Sequence, residues 1–169
     1  MELRGVEELM DLLYACRGAA LTPDRGDRGA DLHDHALRTA ALLRRRRPAD
    51  KELQVAGLVH GLGRLLRPGA GIERSADGAA AAVRALLGDR VARLVRAFPA
   101  NGNGGPADDD VQSLRQASEE ARTAALDAGV LEDWRTVLEL VAAGSARLGA
   151  VDRPSAAGQG GPGTPAAPG

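Results

Sequence analysis

Apolar residues recur at every third or fourth position along almost the whole of this 169-residue chain, and no run of alternating β-branched residues interrupts them. Such spacing buries a stripe on a helix and leaves nothing that pairs as a strand, so the chain reads as all-α. The helices must pack through Leu, Val and Ala, because aromatic residues make up only 2% of the chain, as Trp134, Tyr14 and Phe98. Helices are expected over 6–16, 32–46, 50–66, 76–87, 90–98, 108–128 and 133–148. Asp31, Ser75 and Asp89 stand where N-caps are needed, and the third helix starts from Asp50. That third helix has almost no polar face and should lie at the centre of the bundle. Residues 1–150 thus form one domain of six or seven helices, and 151–169, rich in Gly, Pro and Ala, is expected to be a disordered tail.

Several classes of function fall away on composition. Cys16 is the only cysteine, which leaves no internal disulfide and no cysteine-based zinc site, and suits a cytoplasmic location. Charges interrupt the first eight residues too often for a signal peptide. No stretch approaches the roughly 20 apolar residues of a membrane span. A formal net charge of -1 and the scarcity of aromatic residues argue against a nucleic-acid partner. Arginine is favoured so heavily over the single Lys51 that the composition matches a GC-rich bacterial coding bias, which carries no functional content.

All three histidines, His33, His35 and His60, fall on the second and third helices, the one constellation able to hold a metal. His33 and His35 are roughly 200° apart around a helix, so one of them faces elsewhere. His60 sits inside the apolar run Gly57-Leu58-Val59-His60-Gly61-Leu62-Gly63 and needs a hydrogen-bond partner or a metal, because an unpaired buried imidazole is costly.

The stretch His35-Ala36-Leu37-Arg38-Thr39-Ala40, followed by the helix from Asp50 through Leu58-Val59-His60-Gly61-Leu62-Gly63-Arg64, resembles the HD-domain superfamily. It is most similar to the branch with myo-inositol oxygenase and the phosphonate-cleaving di-iron oxygenases. The resemblance covers 31–98 and implies an HD-type helical bundle with a metal between the second and third helices. The departures fall on the metal ligands. The aspartate that names the motif is Gly61 here, and ligand positions further on are matched by Ser75, Phe98 and Ser118. Of the ligands the resemblance implies, only His35 and His60 survive.

Two neutral imidazoles without an anionic ligand do not hold a divalent metal tightly. No tightly bound cofactor is therefore expected, and any residual metal would be iron or manganese on His35 and His60. The expected function is a non-catalytic binding or regulatory module. The alternative is a metal-dependent phosphohydrolase, or an inositol- or phosphonate-type oxygenase, with Asp34, Asp77 or Glu73 recruited as replacement ligands. Arg64, after the motif glycine, either binds an anionic substrate group or is a solvated helix end. The run Arg44-Arg45-Arg46-Arg47 complements the dipole of its helix end, and Asp108-Asp109-Asp110 reads as a helix first turn. A core this poor in aromatics also points to a homodimer or a protein partner, through the Ala-rich fourth helix around Ala79 to Val83.

Overall fold

The computed structural model describes residues 1–20, 31–99 and 109–151. Among them the chain is all-α. Eight helices follow in order: α1 Val6–Ala15, α2 Leu32–Arg46, α3 Lys51–Val59, α4 Leu62–Leu66, α5 Ile72–Leu87, α6 Asp89–Ala97, α7 Asp109–Ala121 and α8 Arg135–Val151. A 3-10 turn, Leu131–Trp134, leads into α8. Val151, the first residue of the expected tail, ends α8, and the rest of that tail lies outside the described residues.

Capping explains two of these starts. The Asp31 carboxylate accepts the His33 amide at 2.8 Å and, on its other oxygen, the Gly18 amide at 2.7 Å. It therefore opens α2 and ties that end to the exit from α1. Asp50 accepts the Leu53 amide at 3.1 Å and also two nitrogens of Arg90 on α6, at 2.7 and 2.8 Å. Arg90 reaches Glu52 and Asp110 as well, and Arg47 pairs with Asp110. This network joins the starts of α3, α6 and α7, and it holds the Asp50 carboxyl below its usual range, chiefly through the Arg90 hydrogen bonds.

The third expected helix is broken in two. The His60 Nδ1–H donates to the Gly57 carbonyl at 2.7 Å, taking the acceptor that the Gly61 amide would use to continue the helix. The chain turns at His60 and Gly61 and restarts as α4. Ser75 does not cap α5, which opens four residues earlier from Gly71, and its side chain is buried. Gly88, at φ +91, makes the left-handed corner between α5 and α6, so Asp89 is the first helical residue rather than the cap.

Every residue from Leu53 to Val59 is buried, and α3 packs against α2, α6, α7 and α8 as the central element. The surrounding core is Leu, Val and Ala with Trp134, over whose ring the Arg44 guanidinium lies at 3.9 Å. Arg46 pairs with Glu120 and Arg47 with Asp110, so the arginine run binds α2 to α7 as well as ending its own helix. On α5, Ala79, Ala80, Ala82 and Val83 are buried within the chain against its neighbours, and only Ala81 of that group is exposed. The alanine stripe packs inside this chain and is not a free docking face.

Candidate functional site

Four helices and the α3–α4 corner converge on one small cavity of about 50 Å³. His35 comes from α2, His60 and Gly61 from the corner, Ser75 from α5, Phe98 from the end of α6 and Ser118 from α7. These are the two surviving histidines and the four altered ligand positions of the sequence reading, drawn from five places in the chain. Arg64 also lines the cavity. His33 does not; its Nδ1–H donates to the Leu13 carbonyl at 2.8 Å and its ring stacks on Tyr14, so it fastens α1 to α2.

Ser118 joins the two cavity histidines. Its Oγ lies 3.0 Å from His35 Nε2 and 3.4 Å from His60 Nε2. A carbonyl only accepts, so the bond to Gly57 puts the His60 proton on Nδ1 and leaves Nε2 as an acceptor. The Ser118 hydroxyl then donates to His60, and His35 Nε2–H donates to Ser118. The opposite orientation would leave a buried N–H without a partner, whereas this one leaves only a lone pair on His35 Nδ1, which meets no donor among the described residues. The His35 and His60 rings stand edge to face at 5.5 Å, and Phe98 closes over His60 at 4.7 Å.

Burial pushes the His35 imidazole down to about 3, helped by the nearby His60 and by Arg122, Arg64 and Arg38. Burial likewise lowers His60 to about 4, against the opposing effect of its bond to Gly57, with Arg64 and Arg122 adding to the fall. Both are neutral at pH 7. In the unfolded chain both titrate near 6.5, so between that value and about 4 the unfolded chain binds more protons than the folded one. The stability they contribute is complete above pH 6.5 and is lost as pH falls through about 4 and then about 3. The expected slope is up to about 1.4 kcal/mol per pH unit for each histidine. Urea midpoints between pH 7 and 4.5 should fall steeply in the native chain and less steeply in the His35→Gln, His60→Gln double variant. Parallel profiles for the two proteins would contradict the buried, neutral assignment.

The residues present do not fit a tightly held divalent metal. No group of three or more His, Cys, Asp or Glu side chains comes together among the described residues. The replacement ligands expected under the enzyme reading lie elsewhere: Asp34 and Glu73 are exposed, and Asp77 pairs with Arg96 at 3.0 Å on the surface. Arg64 and Arg122 contribute positive charge where a cation would need carboxylates. Sequence reasoning passed over Arg122, although it follows Ser118 by four residues and so shares its face of the helix or its C-terminal extension. Cys16 is buried in the core as expected, and its thiol is pushed up to about 11 by burial and by Asp31, which makes it a poor nucleophile.

Neither a protein-family profile nor a curated protein matches this chain. No helix among the described residues is long and apolar enough to cross a membrane.

Proposed function

We propose that this chain is a degenerate member of the HD-domain superfamily, in which the metal site has become a hydrogen-bonded pocket, and that it serves as a non-catalytic binding or regulatory module. The observation that carries this reading is the convergence of His35, His60, Gly61, Ser75, Phe98 and Ser118 on one cavity. Each of them matches a ligand position or the motif aspartate of the family the chain resembles, and an HD-type ligand arrangement would bring such positions together. The Ser118 hydroxyl joins the two imidazoles that would be ligands in an HD-type metal site.

A cytoplasmic setting belongs to the same proposal and rests on the single, buried thiol. So does a protein partner or a second copy, which a regulatory module needs. Its contact surface is not the buried alanine face of α5.

The test is a turnover assay of the purified chain on phosphomonoesters, phosphodiesters, inositol and a simple phosphonate, with added manganese or iron. Rates are expected to stay at those of the metal alone. Turnover that His35→Ala and His60→Ala both abolish, in variants that remain folded, would overturn the non-catalytic reading.

A further inference from the structure

The second half of α8 is helical with little core to hold it. From Ala142 to Ala150 no side chain is buried, and only Ala142 and Ser145 are half-buried. Gly144 and Gly149 weaken its helix propensity further, and a segment this short does not hold in water by propensity alone. On the same helix Leu140 and Leu148 are 59% and 71% exposed, with nothing among the described residues to cover them. A groove of about 340 Å³ runs beside the two leucines, and residues 49–52 at the start of α3 form its far wall.

This face is complementary to itself. At about 100° per residue Leu140, Gly144 and Leu148 fall within about 80° of one another, and each leucine stands about 6 Å along the helix from Gly144. A twofold axis at Gly144, perpendicular to α8, sets Leu140 of each copy beside Leu148 of the other, with the small Ala143 and Gly144 at the closest approach. Charge selects this direction. Glu139 and Arg147 are exposed on one flank of the face, and neither forms an ion pair among the described residues; Glu139 acts on Arg135 of its own helix without closing one. Antiparallel pairing brings Glu139 of one copy to within about 3 Å, along the helix, of the level of Arg147 on the other. Parallel pairing would set each charge against its like. Residues 152–169 of the same chain offer no such match, because they contain no Leu, Ile, Val, Met or aromatic side chain to lie between the two leucines.

We propose that this face of α8 is the contact between two copies of the chain, paired antiparallel through Leu140, Gly144 and Leu148, with a Glu139–Arg147 pair toward each end. This deepens the binding-module reading by naming its partner as a second copy, and rests on that reading only for the need of a partner. A pair of 17-residue helices is about 26 Å long and, with its shoulders, buries less than the roughly 1,600 Å² of a standard interface. The expected dimer is therefore weak, with a Kd of about 10–100 µM. Its exposed ion pairs set direction more than strength.

The experiment is sedimentation equilibrium of the full chain from about 5 to 500 µM, a range that brackets the expected Kd, with the helix content of every variant checked by circular dichroism. The native chain should pass from monomer to dimer across that range. Leu148→Glu, at a position open to solvent, should weaken dimerisation at least about tenfold with helix content unchanged. Glu139→Arg or Arg147→Glu alone puts like charges at both symmetric contacts and should weaken it about tenfold, and the two together should restore it to within about threefold of native. Rescue by the double exchange is a result that a role confined to one chain does not give. A monomer throughout the range would overturn the proposal and leave the face to a different protein or to residues 152–169. So would a dimer that Leu148→Glu leaves intact, single exchanges that dimerise like the native chain, or a double exchange no better than the singles. Turnover separates the two claims: a monomer without turnover refutes the interface alone, whereas a dimer with turnover refutes the non-catalytic reading alone.

Discussion

Gly63→Ala is expected to lose about 3 kcal/mol or more of stability, or to fail to fold. A Cβ at Gly63 would overlap the Ser75 backbone carbonyl outright, with Ser75 Cα only 3.0 Å away. Overpacking costs about 1–3 kcal/mol when side chains can yield, and more when, as here, the obstacle is backbone. Relief requires α4 and α5 to separate, which would also open the cavity between His60 and Ser75. The loss corresponds to a Tm lower by about 10 °C. Gly144→Ala is the internal comparison. A Cβ there meets nothing within 4 Å on α8, so helix propensity should raise stability by up to about 1 kcal/mol. Equal melting of the two variants would refute the close α4–α5 contact.

The second large effect is a gain of function. Restoring carboxylates with Gly61→Asp and Ser118→Asp together should raise affinity for manganese or ferrous iron at least about a hundredfold over the native chain, because anionic groups that touch the metal outweigh the 10–100-fold effects of groups that only hydrogen-bond to its ligands. Both changes are sterically possible. The Cβ added at Gly61 meets only the Leu32 side chain, whose Cδ1 methyl at 2.8 Å must shift, and position 118 already lies beside both imidazole Nε2 atoms. Isothermal titration measures the gain, and adding His35→Ala to the double variant should abolish it. Native-level affinity in the double variant would argue against an ancestral metal site at this position.

The sequence made the helices legible wherever a cap and an apolar stripe agreed. Asp31 and Asp50 open α2 and α3 as expected, and the run from Leu53 to Val59 is central because it has no polar face to turn outward. Its break was not legible, since it depends on the His60 side chain competing for the Gly57 carbonyl. Ser75 illustrates the opposite error: a good capping residue was read as a cap, although the chain enters α5 from Gly71 and needs that position inside. The sixth expected helix stops at Ala121, seven residues early, and the following stretch carries a left-handed Gly129 that local pattern did not single out as a stop.

The site was legible as positions and not as chemistry. The resemblance to the HD-domain superfamily singled out His35, His60, Gly61, Ser75, Phe98 and Ser118, and all six line one cavity. Which of His33 and His35 faced inward depended on the Leu13 carbonyl of α1, a tertiary partner that no spacing rule reveals. Ser118 was read only as a lost ligand, yet it is the hydroxyl that links the Nε2 atoms of both imidazoles. Arg64 could be read as anion-binding or solvated from sequence, and the structure places it exposed at the rim of the cavity, as it does Arg122.

The most direct measurement of the central claim is the metal content of the native chain, purified without chelator and passed through gel filtration before elemental analysis. A pocket of two neutral imidazoles, a serine and two arginines predicts iron and manganese far below one equivalent per chain. One or more equivalents of either metal retained through that column would contradict it.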